Sequence, residues 1–444
     1  MKIDCRVGVV GAGLAGIAAA HRLEANGAAV TVFEREDNVG GRTRTHRGQR
    51  TQVNVGAQYV GGQDTPVAQL CRELGLTLYP LGGSQLAVHI GERLASAHNS
   101  VGLGLRMPLT LSERTQLART AWRMGRWRRR LENSDHRREA MHHLDEIALD
   151  HFLHNTGSTV RELFRSMVVR MTAGEPEDVS AYLAIEWTPA SGLLGSGVKD
   201  DFDDYFAVRA GTSAIAEGLA VQLATPVRVG TTVTAVRGDE HTVTLDTDDG
   251  SSHEFDAVVL ATPAGTSPEI DLPGAASLTA SLREVNYGAY ITVALQGRTM
   301  PASPWARTFS VQCTGGAFHV LTNQDWGLPS ADQGHWIVAV AGGRRAEDMM
   351  DQPDEMIADQ ALKLTRKVSG SFDLVSDPVV TRWPLGLPYW HPSKIQAGRR
   401  PVRHGRLFLA GDHMDYPNMQ GAVRSGQNAA DLISNQLITP TEEK

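Results

Sequence analysis

The residues whose spacing most directly suggests chemistry are Gly11-Ala12-Gly13-Leu14-Ala15-Gly16, which follow a short apolar run and open a helix-like stretch. In that setting Gly11 permits a tight turn, Gly13 lets the backbone approach a pyrophosphate, and Gly16 lets helix and strand pack closely. Ala15, in the same turn, is expected among the cofactor-binding residues. Unpaired amides at the helix start would face the phosphates. Glu34, 18 residues after Gly16, ends a second strand where a carboxylate can accept both hydroxyls of an adenosine ribose, with Arg35 beside it. To this point NAD and FAD fit equally. Val39-Gly40-Gly41-Arg42-Thr43 then offers backbone amides and a guanidinium to the same pyrophosphate. A second cluster stands far along the chain: Leu407-Phe408-Leu409-Ala410-Gly411-Asp412, then Met419-Gln420-Gly421-Ala422-Val423-Arg424-Ser425-Gly426.

Positioning these residues requires a βαβ start. Arg6 to Val10 reads as a buried strand, Leu14 to Asn26 as a helix closed by Gly27, and Ala28 to Glu34 as a parallel strand. Ala257 to Leu260 and Arg406 to Ala410 have the same buried-strand character. Val227 to Arg237 and His241 to Asp248, joined by Gly238-Asp239-Glu240, predict a hairpin. Leu111 to Ala173 predicts a helical insertion. Ala289 to Leu295, Phe318 to Thr322 and Trp336 to Ala341 read as β, and Glu355 to Val368 as helix. The expected fold is α/β: a discontinuous Rossmann-like domain, with parallel sheet and β-hairpin or meander, beside a mixed α+β substrate domain carrying the helical insertion. The nucleotide domain is expected over 1–80, 205–278 and 400–444, the substrate domain over 81–204 and 279–399.

The run from Val7 to Thr43 resembles the flavin-containing amine oxidase superfamily, which includes monoamine oxidases, protoporphyrinogen oxidases and phytoene desaturases. The resemblance implies that both glycine turns serve FAD. Val53-Asn54-Val55-Gly56-Ala57-Gln58-Tyr59 is similar to the family's segment beside the flavin ring, and Thr172-Ala173-Gly174-Glu175 with Val179-Ser180-Ala181 to its helical insert. Arg209-Ala210-Gly211 and Val233, whose backbone would bond adenine, fit the same pattern. Asp412 would approach the ribityl and phosphate region. The helix carrying Met419, Gln420 and Ala422 would point near Gly421 at flavin N1 and O2, where a helix N-terminus favours negative charge by up to about 2 kcal/mol. No cysteine stands near the attachment position before Gly411, so FAD is expected to be non-covalent.

On the substrate side the resemblance implies an aromatic wall from Trp383, Tyr389 and Trp390, although aromatics packing a strand end would look the same in sequence. The opposite wall holds Asn418, with Tyr416 nearby. Thr292 occupies the position where many amine oxidases carry a lysine. That departure, with Pro417 after the Gly-Asp pair, resembles protoporphyrinogen oxidases and desaturases. The expectation is an enzyme that takes hydride from a carbon bearing nitrogen to flavin N5, giving an imine that water hydrolyses, with O2 ending as hydrogen peroxide. Orientation of the C–H bond suffices for this step without a strong base. The alternatives are C=C formation, a non-redox mutase-like flavoprotein, and a flavin-bearing binding subunit.

Composition bounds the rest. The chain has 444 residues, 41% apolar and 21% charged, enough for two or three folded units. A net charge of −7 argues against nucleic acid as partner and leaves a small-molecule substrate. Cys5, Cys71 and Cys313 form no CxxC pair, the first strand begins by Ile3 with no signal-peptide pattern, no apolar run spans a bilayer, and the final Thr-Pro-Thr-Glu-Glu-Lys is polar. A cytoplasmic protein is expected. Arg119 to Arg138 holds eight arginines against two acids, with Trp122 and Trp127 interleaved. It reads as the solvated face of an amphipathic helix, or as a patch for a membrane surface or an anionic substrate. His142, His143, His151 and His154 match no metal-ligand spacing, so no metal is expected. GxSxG and P-loop motifs are lacking.

Overall fold

The Arg6–Val10 strand pairs in parallel with Ala29–Phe33 on one side and Ala257–Leu260 on the other. Leu407–Leu409 extends the parallel set beyond Ala257–Leu260, and the short Arg403–His404 strand closes that edge antiparallel. The helix Leu14–Ala25 buries Leu14, Ile17, Ala18 and Leu23 on this sheet, and Gly27 at φ +96° lets the chain turn into the next strand. The computed structural model describes residues 5–48, 51–187, 204–238, 241–299, 303–326, 334–394 and 403–438. Ile3, the Asp239-Glu240 turn, the border at 399/400 and the polar tail from 439 lie outside the described residues.

By its internal packing the chain divides into two compact units: Met1–Leu78 with Val208–Asn286 and Arg399–Lys444, and Tyr79–Ala207 with Tyr287–Gly398. The junction expected at 278/279 falls after Asn286, because the helix Ala276–Arg283 packs on the Ser267–Glu269 turn of the first unit. In that unit the predicted hairpin is a three-stranded antiparallel sheet of Val233–Gly238, Val243–Thr247 and Ser252–Phe255. Its first strand starts at Val233, not Val227. Arg228 instead bonds alongside the Ala29–Phe33 strand, its amide to the Val32 carbonyl at 2.9 Å and its carbonyl from the Glu34 amide at 2.9 Å. The Arg228 guanidinium lies 5.3 Å over the Phe33 ring, which fixes that register.

The second unit is built on a mostly antiparallel eight-stranded sheet. Its order is Asp373–Leu374, Asn286–Arg298, His335–Gly342, Val320–Asn323, Ser310–Thr314, Leu86–Ile90 and Arg93–Ala97, with Val379–Tyr389 also pairing with Asn286–Arg298. Ile291, Val293, Phe318, Ile337 and Phe372 fill one face of it, under the Asp354–Ser369 helix. The insertion forms the helices Leu111–Glu132, Ser134–Asp145, Asp150–Leu153 and Ser158–Thr172. Thr110 and Glu113 start the first of these with a reciprocal capping box.

Candidate functional site

The N-terminal glycines divide their labour by what a side chain would meet. At Gly16 a β-carbon would lie 1.9 Å from the Gly11 carbonyl oxygen and 3.1 Å from the Ala261 methyl, so strand and helix approach only because it is absent. Gly11 adopts φ +97°. At Gly13 a β-carbon would meet nothing within 4 Å, which marks open space in front of the helix start. No side chain caps that helix, and its first turn carries no acid. Its leading amides are therefore available to an anionic group.

Gly40 and Gly41 back onto this turn. The Gly40 amide donates to the Ala12 carbonyl at 2.9 Å, and a β-carbon on Gly41, at φ +55°, would lie 3.4 Å from the Gly13 Cα. Thr43 fixes the turn by donating its hydroxyl to the Gly40 carbonyl at 2.8 Å. Glu34 is buried and accepts from the Ala12 amide at 2.7 Å and the Glu36 amide at 3.0 Å. Each carboxylate oxygen keeps acceptor capacity for a hydroxyl. Arg35 points outward, 55% exposed, beside Glu36.

Arg42 reaches the second cluster. Its guanidinium donates to Asp412 Oδ1 at 2.7 Å, with Asp412 only 5% exposed. Gly411 takes φ +148°, and its amide donates to Ser425 Oγ at 3.0 Å. Asn418 caps the Met419–Ile433 helix by accepting from the Gly421 amide at 2.8 Å. A β-carbon on Gly421 would lie 1.9 Å from the Tyr416 carbonyl, and one on Gly426 2.1 Å from the Ala15 carbonyl, so this helix is locked against its own leading loop and against the N-terminal helix. Met419 and Ala422 pack against the unit's core. The Gln420 side chain turns away to tie down a neighbouring loop, accepting from the Val67 amide at 2.9 Å and donating to the Gly61 carbonyl at 3.0 Å.

Gly56 and Ala57 rest on the backbone of Arg42. A β-carbon at Gly56 would stand 2.0 Å from the Arg42 carbonyl, and the Ala57 amide donates to that carbonyl at 2.9 Å. Sequence reasoning missed what holds this loop. Buried Asn54 accepts from Thr45 Oγ1 and the Thr212 amide, both at 2.9 Å, and donates to the Gln58 carbonyl at 3.1 Å, just before Tyr59. Nothing in local spacing announces a bond between positions 54 and 212. Val233, buried, stands at a bulge of its sheet.

In the second unit, Thr292 is buried in the long Asn286–Arg298 strand opposite Val340. Two residues earlier, the Tyr290 hydroxyl donates between the Val169 and Arg170 carbonyls, at 2.8 and 2.7 Å, at the end of the Ser158–Thr172 helix. Trp383 and Tyr389 belong to the Val379–Tyr389 strand, with Trp390 directly after. A β-carbon on Gly174 would lie 3.0 Å from the Tyr389 ring, Tyr182 stacks on Trp390 at 6.3 Å, and the Ser180 amide donates to the Trp390 carbonyl at 2.7 Å. Burial, reinforced by Asp178, Glu347 and Glu175, pushes the Tyr389 phenol up to about 12. Burial alone would push the Glu175 carboxyl up, but the Arg165 fork at 2.6 and 2.8 Å and the Arg344 amide at 3.0 Å outweigh it and hold it low.

Open space before an uncapped helix, faced by a second glycine turn and a buried carboxylate with spare acceptor capacity, is the geometry of a dinucleotide-binding protein. The site fits the two phosphates and adenosine of FAD. Comparison with known proteins gives the family: the profile of flavin containing amine oxidoreductases matches residues 14–434, and the chain belongs to that family of FAD-dependent oxidoreductases. Its cofactor is FAD. The chain is 30% identical over 268 residues to a Mycobacterium tuberculosis protein named as a flavin-containing monoamine oxidase, a match covering 58% of this chain and 56% of that one. It is 36% identical over 127 residues to amine oxidase B of Sus scrofa, covering 28% and 24%. The matches thus span little more than half the length of the first relative and about a quarter of the second. A redesigned putrescine oxidase shares the fold with a TM-score of 0.80 at 20% identity, covering 98% of this chain and 100% of that one. Cyclohexylamine oxidase from Brevibacterium oxydans does so at 0.78 and 20%, covering 98% and 99%. Among the described residues no helix is long and apolar enough to cross a membrane, and no group of His, Cys, Asp or Glu is placed to hold a metal ion.

Proposed function

We propose that this protein oxidises an amine at the carbon bearing nitrogen, yielding an imine that hydrolyses in water, with O2 as electron acceptor and hydrogen peroxide as product. The observation that carries the reading is the family match across residues 14–434. Fold neighbours named as oxidases of putrescine and cyclohexylamine support it. Bound FAD supplies the hydride acceptor. Gly13, Gly41 and Arg42 take the pyrophosphate, Glu34 the ribose, and Asp412 the ribityl side. The capped helix after Asn418 favours negative charge near the flavin ring. Residues Tyr389 and Trp390 offer aromatic faces to the substrate, held by Gly174, Ser180 and Tyr182. FAD is held non-covalently: the free cysteines Cys5, Cys71 and Cys313 are all buried, which also supports a reducing, cytoplasmic setting.

A second reading, C=C formation, is favoured by one residue. Thr292 is buried on its strand where an amine oxidase would carry lysine. Oxygen consumption is to be measured across monoamines, diamines, amino acids and cyclic precursors, with product analysis. Peroxide with ammonia or aldehyde release is the expected outcome. A product two hydrogens lighter whose new double bond is C=C, with the amine nitrogen still saturated, would move the assignment to the second reading.

A further inference from the structure

The arginine-rich helix is not a single solvated face. Arg128 turns inward and donates to the carbonyls of Ile185 and Glu186, at 3.2 and 2.6 Å, near the end of the Ala181–Trp187 helix. Arg137 pairs with Glu186 at 2.6 Å. Arg123, Arg126 and Arg130 form a separate row at three- and four-residue spacing, with Trp127 between them, and face the two helices that follow. With His143, His151 and Phe152 they line a cavity of about 200 Å³.

Among the described residues, no carboxylate lines this cavity, and none of these three arginines is in an ion pair. Aromatic faces hold them instead. Arg123 lies 5.3 Å over Phe152, Arg126 5.0 Å over Trp122, and Arg130 5.0 Å over Trp127. His143 stacks on Trp127 at 4.5 Å. These contacts orient the guanidinium planes and commit few N–H donors, of which Arg123 gives one to the Phe152 carbonyl at 3.5 Å.

The contrast lies at the same two rings. Trp127 and His143 also border a second cavity, and there Asp135, Glu139 and Glu146 accompany Arg138 and His142. A merely solvated surface would mix signs on both sides. Here one cavity has acids and the other only bases, in a chain whose net charge is −7.

We propose that the Arg123–Arg126–Arg130 cavity binds a phosphomonoester group. Three guanidinium forks and two imidazoles exceed what the two oxygens of a carboxylate can use, whereas a phosphate dianion presents three terminal oxygens. At about 200 Å³ the cavity is below the roughly 300 Å³ at which pockets enclose a drug-sized ligand, so it takes the phosphate and the first atoms of its carrier. This site is independent of the amine chemistry proposed above.

A soluble ester and a lipid headgroup both carry this chemistry. The test therefore uses the full chain with FAD bound and two probes: glycerol 3-phosphate by calorimetry at low ionic strength, and flotation with phosphatidylcholine vesicles with and without phosphatidic acid. At least one probe binds, Arg123→Gln and Arg130→Gln each weaken binding about tenfold, and the triple glutamine variant of Arg123, Arg126 and Arg130 abolishes it. Arg129→Gln, exposed and outside the lining, leaves it unchanged. Binding of the free ester assigns a soluble ligand, and capture by phosphatidic acid vesicles alone assigns a headgroup. The proposal is overturned if neither probe binds, if the triple variant still binds, or if Arg129→Gln weakens binding as much. Should the triple variant lose its flavin, Arg126→Glu, at the exposed rim, is read instead and must weaken binding.

Discussion

Arg42 and Asp412 stand 370 residues apart in sequence and meet at 2.7 Å, joining the two glycine-bearing clusters by one charge-assisted hydrogen bond. The carboxylate is buried and the guanidinium is 29% exposed, so the two ends of the bond respond differently to substitution. Arg42→Gln strands a buried charge, which costs about 2 kcal/mol after allowance for solvent near the arginine. Asp412→Asn keeps a hydrogen-bonding group in place and costs less. Denaturant midpoints and the flavin content of the purified variants check the order; an Asp412→Asn loss equal to that of Arg42→Gln would contradict it.

Gly13 and Gly16 separate binding from folding. Gly16→Ala forces a β-carbon within 1.9 Å of the Gly11 carbonyl, and the flavin-free protein itself is destabilised. Gly13→Ala enters open space, so flavin-free stability changes by about 1 kcal/mol or less while FAD affinity falls about 100-fold. Melting temperatures of flavin-stripped protein, followed by FAD titration, distinguish the two. Equal affinity in wild type and Gly13→Ala would remove Gly13 from the cofactor site.

His319 makes the second unit acid-sensitive. It is fully buried, with Nε2 3.2 Å from the Gly342 carbonyl and Nδ1 3.2 Å from an Arg345 nitrogen, an arrangement that suits the neutral ring. Burial, with Arg345 adding to it, pushes its pKa down to about 3 from 6.5. Below pH 6.5 the unfolded chain binds a proton that the folded chain refuses. Stability is therefore complete above that pH and is lost as pH falls towards 3, by roughly 1.4 kcal/mol per pH unit. In His319→Gln this slope should lessen by one proton. Denaturant unfolding across the window reads it, and an unchanged slope would refute the assignment.

With its phenol held near 12, Tyr389 stays neutral at working pH and contributes a face and no proton. Tyr389→Phe should leave the alkaline limb of the kcat/KM profile in place. Tyr389→Ala should raise KM about tenfold, the worth of one aromatic contact to a cation. An alkaline limb that moves in the Phe variant would show that the hydroxyl takes part.

What was legible in the sequence follows from how each residue acts. Gly11 takes a positive φ, Gly13 leaves open space and Gly16 admits the Gly11 carbonyl, demands that all fall within one turn, so spacing alone predicts it. Glu34 was legible because strand length sets its place. The Val379–Tyr389 strand was not, since Pro384 and Pro388 argue against a strand and only its pairing with Asn286–Arg298 overrides them. Gln420 was grouped with the flavin-facing helix start, yet its side chain is committed to Gly61 and Val67, partners that only the tertiary structure supplies. The same holds for Asn54 and Thr212, and for Arg228 beside Val32. In the arginine run, composition showed charge but not the division between Arg128, half-buried on helix carbonyls, and Arg123, lining a cavity.

Because the Arg42–Asp412 bond spans 370 residues, the site has a timetable as well as a geometry. At about 5–20 residues per second, a ribosome that has made the first glycine turn needs roughly 20–75 s more to deliver its partner. During that interval the helix Leu14–Ala25 lacks the Met419–Ile433 helix that packs on it, and its Ala-rich surface is a target for chaperones or for aggregation. Completion of this pair therefore waits for synthesis of the chain through residue 412, and a ligand that binds only the finished site stabilises the protein by mass action.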